Sequence, residues 1–549
     1  MSGDANYMSW TKNGLLQRVK ELEAELKRRP ALPTPKQEPI VEQPPVKSAK
    51  KAKPKGKRKV DPSKYSTRYI ALKLAYLGKN YGGFEFQAMA NQPSIEEELW
   101  NALTKACLIF PKDERVVDFD CCEYSKCGRT DRGVSAFGQV VGLRVRSNRP
   151  LPKKRQRVEQ VVEGGDAMVV DGGNTDAMAQ KQEIEEIEED ASFDPIKDEL
   201  QYPRLLNRIL PPDIRILAWC PSPPPDFSAR FSCRERQYRY FFTQPAFSPD
   251  PASKGRTGWL DIEAMRTAAK LYEGEHDFRN MCKIDPGKQI TNFHRVIYEA
   301  DIEEVKDASS TLPYLMSPGF APAEGLDASS GHPKVYSFNV RGSAFLWHQI
   351  RHMVAVLFLV GQGLEKPEIV SQLLDTAANP CKPNYTMADE VPLVLWDCIF
   401  PGDDAAPTNN KKNALEWLYL ADDPALGRFG QFGVIDGLWA HWRERKLDEL
   451  LSSQLLQLVS RQGGSDPERL VDRGAASGKQ PNSVIIYEGG NAGRMGGKYV
   501  PLMQKDKLQS PEEQNERYAK RKGFEGSEDM RQKKGFGKRK AGESVATDE

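Results

Sequence analysis

The spacing of apolar residues predicts a folded domain over residues 67–400. RYIALKLAYLG alternates apolar and polar residues as a half-buried strand does. PSIEEELWNALTKACLIF has the spacing of an amphipathic helix, with Ser94 at its cap position. GQVVGLRVRS places Arg144 and Arg146 on the face opposite its apolar side chains, as expected for a sheet with one solvated face.

Later segments of this domain continue the pattern. DIRILAWC, RQYRYFFTQ, RVIYEADIEEV and KVYSFNV have the composition and spacing of further strands. DIEAMRTAAKLYEG and the strongly apolar AFLWHQIRHMVAVLFLVGQG are predicted helices. Because strands outnumber the helices between them, we expect an α+β fold with a mostly antiparallel central sheet, and not a doubly wound nucleotide fold.

Other segments flank or interrupt the domain. Leu15, Val19, Leu22 and Leu26 alternate spacings of four and three, which predicts a short heptad helix within residues 1–30. The remaining predicted segments are a basic disordered linker at 31–66, a disordered acidic insertion at 148–199, a loop insertion at 307–333, a C-terminal helical extension at 401–462 and a largely disordered charged tail at 463–549.

Charge is segregated along the chain, although 79 basic and 77 acidic residues give a formal net charge of only +2. KSAKKAKPKGKRK and KKGFGKRK are basic, whereas EIEEIEEDASFD is acidic. Basic arms suit a polyanion such as nucleic acid, or an address for the nucleus. The alternative is that these runs only keep unstructured ends in solution. We expect the protein in both nucleus and cytoplasm.

The cysteine pattern and the apolar runs point to an intracellular protein. Nine cysteines occur without a C-x-x-C pair, and DCCEYSKC lacks the spacing of zinc ligands, so reduced thiols are expected. No run of eighteen apolar residues occurs, and the N-terminal MSGDANYMSW has no apolar signal core. A protein that neither spans a membrane nor enters the secretory pathway is expected.

The segment CGRTDRG offers the strongest candidate for chemistry. It holds one carboxylate, Asp131, between Arg129 and Arg132. The residue either shapes an Asx-type turn before a strand or serves as a nucleophile or base, kept ionised by a low pKa beside arginine charges. The glycines do not form a phosphate loop, because the lysine and Ser/Thr of that motif are missing.

Other polar groups have structural interpretations. His348 and His352 are four residues apart on one predicted helix, but Gln349 stands where the H-E-x-x-H motif has its glutamate. Hydrogen-bonded histidines are therefore expected there, and capping or hydrogen bonding is expected for GEHDF. Tyr238 and Tyr240 share one strand face, where each is either a core residue or a platform for a base.

Several segments together resemble the TruA-type pseudouridine synthases, which isomerise uridine in tRNA. GRTDRGVSAFGQV is similar to the family's most characteristic motif. The resemblance continues, in chain order, through YLGKNYGGFEFQ with SIEEELWNAL before it, and LNRILPPDIRI, DFSARFSCRERQYRY, GSAFLWHQIRHMVAVLFLVGQG and EVPLVLWD after it. It covers most of residues 67–400. It implies a TruA-like fold, whose central sheet is mostly antiparallel and flanked by helices, with two subdomains around an active-site cleft.

Three segments resemble one branch of this family in particular. GEHDFRNMCKID, NFHRVI and GQGLEKPEIVSQLLD look most like the eukaryotic branch that modifies uridines 38 and 39 of the tRNA anticodon stem-loop. Phe84 and Glu85 depart from the small residue and tryptophan usual in bacterial relatives. The alternatives are a sister branch that acts on other tRNA positions or other RNAs, and a non-catalytic RNA-binding or chaperone protein of the same fold.

The resemblance implies a role for each matched residue. Asp131 would be the catalytic nucleophile and Arg351 would pair with it. Arg129 would hold the flipped nucleotide out of the stack, and Tyr238 would lie against the uracil. No metal or nucleotide cofactor is implied, because isomerisation leaves the atoms and the oxidation state unchanged.

The expected partner is tRNA. Arg144, Arg146 and the Lys/Arg arms would contact phosphates without reading sequence, which makes binding depend strongly on salt. The resemblance also implies a homodimer, with one tRNA reaching across both subunits.

Overall fold

The computed structural model describes residues 60–87, 91–112, 117–151, 193–247, 258–306, 334–400, 415–420, 434–460, 485–487, 489, 494–495 and 498–535. The predicted heptad helix, the linker before residue 60 and the insertion at 307–333 lie outside these residues, as does most of the acidic insertion. Among the described helices, none has the length and apolar character needed to cross a bilayer.

A ten-stranded sheet runs through the described domain in the order β10-β4-β1-β3-β9-β5-β8-β7-β6, with β2 paired to β3. Its strands are β1 Thr67–Tyr76, β2 Ser125–Lys126, β3 Ser135–Arg146, β4 Ile214–Cys220, β5 Glu235–Gln244, β6 Gly274–Asp277, β7 His294–Glu304, β8 Lys334–Gly342, β9 Leu393–Ile399 and β10 Leu418–Tyr419. A separate pair joins β11 Ile485–Ile486 to β12 Arg494–Met495.

The sheet is mixed, which corrects the expectation of a mostly antiparallel one. β3 and β9 run parallel, with Ser135 opposite Val394 and Ala136 opposite Leu395. Parallel strands start at the same edge of a sheet, so the segments leading into β3 and β9 lie side by side. The Asp131 loop precedes β3, and Glu390 precedes β9. This single parallel pair therefore brings two carboxylates from distant parts of the sequence to one edge.

Eight α-helices are described, and most of them pack on the sheet. They are α1 Ile95–Lys105, α2 Tyr202–Asn207, α3 Ile262–Lys270, α4 Gln349–Gly361, α5 Ile369–Leu374, α6 Val434–Ser460, α7 Pro511–Arg521 and α8 Ser527–Lys534. Single 3-10 turns occur at Pro62–Lys64, Gly78–Asn80, Phe119–Cys122, Arg279–Met281 and Leu502–Gln504. The predicted cap is present, since the Ser94 hydroxyl accepts a hydrogen bond from the Glu97 amide.

Two hydrophobic clusters form the core on either side of Tyr238. The first surrounds α4, every residue of which is buried, and includes side chains of β5, β7 and β8. The second joins α1 to β1, β3 and β4. Tyr238 packs against both clusters from β5, in the middle of the sheet. A residue that contacts both clusters is well placed to line a cleft between them.

Part of the C-terminal region is folded, which corrects the expectation of a largely disordered tail for residues 498–535. Ser510 and Glu513 form a reciprocal capping box at the start of α7. Leu502, Ala519 and Met530 are fully buried. The polar composition of this segment hides these few apolar anchors, which dock it onto the rest of the domain.

Candidate active site

The Asp131 loop is held firmly by its backbone. The Thr130 carbonyl accepts a hydrogen bond from the Phe84 amide at 3.0 Å, and the Asp131 carbonyl accepts one from the Val134 amide at 3.1 Å. The Thr130 hydroxyl lies 2.6 Å from that of the buried Tyr76. The loop therefore has little freedom of its own, and Asp131 is carried into a cleft of about 1170 Å³.

Gly133 allows the loop to pass close to Glu390. Its φ of +80° falls in the left-handed region, and a Cβ at this position would lie 2.6 Å from Cγ of Glu390. Glycine is thus required here for two independent reasons. The close passage brings the loop against the segment that precedes β9.

The Asp131 carboxylate contacts the start of α4. Oδ1 accepts a hydrogen bond from Nε1 of Trp347 at 3.1 Å, and Oδ2 lies 3.4 Å from Nε2 of His348. Both partners are far away in sequence, so the side chain does not close a local Asx-type turn. The carboxylate is 30% exposed toward the cleft.

The pKa of the Asp131 carboxyl is raised above its usual range, which corrects the expectation of a low one. Burial is the largest cause, while the Trp347 hydrogen bond and the charges of Arg351, Lys283 and Lys288 lower this pKa. The two arginines beside it in sequence are not among its main influences. Desolvation therefore outweighs the surrounding positive charge.

The family resemblance implies that Arg351 pairs with Asp131, and the structure corrects this, because Arg351 has other direct partners. Its Nη2 donates to Oε2 of Glu390 at 2.7 Å and its Nε donates to the Ala388 carbonyl at 2.7 Å. Arg351 is buried, so its charge still lowers the pKa of Asp131 from a distance. The predicted residue is in the site, but its direct partner is Glu390.

Arg129 and Tyr238 both line the cleft. The Arg129 side chain is 47% exposed, with Nε 3.4 Å from a Glu85 oxygen, so it remains accessible to a ligand. The Tyr238 ring meets that of Phe345 edge to face, with centroids 5.2 Å apart. Tyr240, on the same strand, is instead a core residue whose hydroxyl donates to the Gly489 carbonyl at 2.7 Å.

Arg144 and Arg146 lie away from the cleft and already have protein partners. Arg144 donates to both carboxylate oxygens of Glu123, at 2.7 and 3.1 Å. Nε of Arg146 donates to the Cys107 carbonyl at 2.8 Å, and its guanidinium lies over the Tyr65 ring. The predicted basic strand face is thus engaged within the molecule.

The sequence did not predict that Trp347 and Glu390 belong to the site, and it predicted only a hydrogen-bonding role for His348. His348 has φ +60° at the N-terminal end of α4, which turns its ring toward Asp131. Burial, followed by the charges of Arg351, Lys283 and Lys382, lowers the pKa of His348 to about 3. His348 is therefore neutral at physiological pH, and its contact with Asp131 is no ion pair.

His348 and His352 have different contacts and do not converge on a common metal position. Nε2 of His352 lies 2.8 Å from Nζ of Lys382, and burial lowers the pKa of that lysine to about 8. In GEHDF, the His276 ring bonds the Glu273 carbonyl at 2.8 Å and Asp277 accepts from the Arg279 amide at 2.9 Å. These groups have the hydrogen-bonding roles expected from the sequence.

Three buried thiols are the described side chains best arranged to hold a soft metal ion. The sulfurs of Cys127, Cys233 and Cys398 all lie within 4.8 Å of one another. The spacing of neighbouring cysteines does not predict this cluster, because its three residues come from distant parts of the sequence. The cluster lies close to the Asp131 loop, because Cys127 comes shortly before Asp131 in the sequence. Nη2 of Arg236 donates a hydrogen bond to the Cys127 carbonyl at 3.2 Å.

Comparison with known proteins identifies the family. Residues 268–401 match the family described as tRNA pseudouridine synthase. The human protein named tRNA pseudouridine(38/39) synthase is 40% identical over 386 residues, which are 70% of this chain and 66% of that protein. Its Saccharomyces cerevisiae counterpart of the same name is 38% identical over 422 residues, 75% of this chain and 76% of the yeast protein.

A more distant relative is a tRNA pseudouridine synthase A from Methanothrix thermoacetophila, 29% identical over 309 residues, 56% of this chain and 74% of the relative. The chain belongs to the tRNA pseudouridine synthase family. It spans just under two thirds of the human protein's length.

Proposed function

We propose that this protein converts uridine to pseudouridine in the anticodon stem-loop of tRNA, at positions 38 and 39. The observation that carries the proposal is the Asp131 carboxylate, fixed in a deep cleft by Trp347 and surrounded by cationic side chains. The printed names of the human and yeast relatives give the substrate and the two positions.

The chemistry requires a nucleophile and room for one extruded nucleotide. Isomerisation breaks the bond between N1 of uracil and C1′ of the ribose, joins C1′ to C5, and exchanges the hydrogen of C5 for one on N1. Asp131 is the proposed nucleophile, and it must be ionised to act. A paired or stacked uridine must first leave its helix, at a cost of a few kcal/mol.

The other cleft residues have proposed roles that follow their positions. Tyr238 lies against the uracil, and the exposed Arg129 holds the nucleotide outside the stack. Arg351 acts through Glu390, which fixes its guanidinium near the carboxylate. Burial of Asp131 strengthens each of these charge interactions, because water is largely excluded.

Larger-scale features belong to the same proposal. The two core clusters are proposed to be two subdomains around the cleft, and two copies of the chain are proposed to bind one tRNA between them.

The basic run 47–59 lies outside the described residues and is proposed as a nuclear address, with cytoplasmic protein also present. Deleting it should lower the nuclear fraction of a tagged protein, and an unchanged fraction would contradict this address.

The variant Asp131→Ala tests the catalytic proposal. We expect pseudouridine formation in purified tRNA to fall by at least about 10³-fold, as nucleophile removal does elsewhere, while the tRNA dissociation constant stays within a few-fold of wild type. Arg132→Ala is the matched control, because it removes a charge from the same loop. Retained activity in Asp131→Ala would reject the nucleophile assignment, and a wild-type protein that binds tRNA without modifying it would favour the non-catalytic alternative.

Position is tested separately by mapping pseudouridine in tRNA from cells that lack the protein. Loss at 38 and 39 is expected. Loss at other positions, with 38 and 39 intact, would instead favour the sister branch of the family.

A further inference from the structure

Two lysines lie over the ring of Trp347, a residue that lines the cleft. The ammonium nitrogens of Lys283 and Lys288 are 4.3 and 6.0 Å from the centroid of the indole ring. Trp347 is 37% exposed, and its other edge donates to Asp131. Two positive charges therefore lie one side chain away from the proposed nucleophile.

Neither ammonium has a carboxylate partner among the described residues. The cleft carboxylates have nearer partners: Arg351 contacts Glu390, and Arg129 and Lys126 contact Glu85. Asp131 contacts Trp347 and His348, and the two lysines act on it only from a distance. A cation over an exposed aromatic ring gains only a weak attraction. Two ammonium groups that share one ring also repel each other, so an anion between them would stabilise the arrangement.

Residues 283–290, here called the lysine segment, are held in place by hydrogen bonds without any ligand. The Lys283 amide donates to the Trp347 carbonyl at 2.9 Å. At the other end, the Gln289 side chain donates to the Asn515 carbonyl at 3.2 Å, and the Asn515 side chain donates back to the Ile290 carbonyl at 3.0 Å. Helix α7 therefore braces the lysine segment, and little ordering is needed when a ligand binds.

We propose that Lys283 and Lys288 form a phosphodiester-binding subsite that holds the RNA backbone beside the target uridine. This inference rests on the proposed function, and it adds the part of the substrate that the subsite contacts. A nucleotide turned into the cleft carries its flanking phosphates to the cleft mouth, where the paired lysines lie. Because the Trp347 ring supports both lysines, binding and the placement of Asp131 are coupled through one side chain.

The first test measures binding of an anticodon stem-loop RNA with uridine at 38 and 39 over a range of salt concentrations. Lys283→Ala and Lys288→Ala should each weaken binding about 3- to 10-fold and lower the slope of log Kd against log salt by about one. Lys283→Arg should retain most of the affinity. Lys334→Ala is the control, since this exposed lysine at the start of β8 pairs with Glu304 at the end of β7 and should change neither quantity.

The second test replaces one linkage next to the target uridine with an uncharged methylphosphonate. Wild type should lose affinity for this RNA, whereas Lys283→Ala/Lys288→Ala should bind the modified and natural RNA equally. Equal losses in wild type and the double variant, or lysine variants with unchanged affinity and salt slope, would overturn the subsite. These results are separable from the proposed function, which is tested by whether the protein forms pseudouridine in tRNA and at which positions.

Discussion

At the scale of single residues, the reactivity of Asp131 depends on a balance of opposing effects. Burial raises its pKa, while one hydrogen bond and three cations lower it. The motifs in the sequence predicted Asp131, Arg129, Tyr238 and Arg351 as site residues, and all four line the cleft. The motifs did not identify the direct contacts of Asp131, because these depend on where α4 begins relative to a loop more than two hundred residues earlier.

Trp347→Phe should raise the pKa of Asp131 further, because it removes the indole N–H that favours the ionised carboxylate. The proposed nucleophile must be ionised to act, so activity should be lost as the pH falls through this pKa. The acid limb of the kcat/KM profile should therefore move to higher pH. Trp442→Phe, on α6, should leave the profile unchanged, and an acid limb that moves to lower pH in Trp347→Phe would contradict the role of the hydrogen bond.

Glu390→Gln should act in the opposite direction. Without the Glu390 carboxylate, the charge of Arg351 is no longer compensated and lowers the pKa of Asp131 more strongly, so the acid limb should move to lower pH. The free energy of unfolding should fall by about 1–2 kcal/mol, because a largely buried charge-assisted hydrogen bond is weakened. Glu123→Gln, which weakens the exposed Arg144 pair, provides the comparison and should shift neither quantity appreciably.

At the scale of elements, the spacing of apolar residues predicted most strands and helices. The order in which the strands pair depends on contacts between distant segments, which local spacing does not reveal. The parallel register of β3 and β9 joins segments from opposite ends of the domain, and no local signal encodes it. Helix α7 is different, since the sequence SPEE carries a capping-box signature at Ser510 and Glu513. That signal was present, but the polar composition around it favoured an unstructured tail.

Helix α6 exposes apolar side chains on more than one face, and one stripe of them is a proposed contact with a second copy of the chain. Leu451, Leu455 and Leu458 follow helical spacing and are 68, 62 and 60% exposed. Light scattering of wild type should give the mass of a dimer. Leu455→Glu should give a monomer, because a dimer contact through this stripe would bury the new charge.

Ser453→Glu adds the same charge on the opposite side of α6 and should leave the dimer intact. A monomeric wild type would reject the dimer itself. A dimer that persists in Leu455→Glu would move its interface away from this helix.

At the scale of the whole molecule, the cleft depends on segments spread along the entire described domain. Its lining comes from the loop before β3, from β5, from the start of α4 and from the segment before β9. Sequence motifs located these segments singly, and the family resemblance ordered them. Their distances, and the cations that surround Asp131, required the folded chain.

The hydrogen bonds between α7 and the lysine segment affect the order in which parts of the cleft can form during synthesis. A ribosome delivers the Asp131 loop well before Asn515. The sheet and Asp131 can thus be in place while the lysine segment still lacks its contacts with α7. A premature stop shortly before residue 515 should yield a chain that folds around Asp131 but binds RNA weakly. Such a truncation should therefore lower RNA affinity more than it lowers the rate of pseudouridine formation on bound RNA.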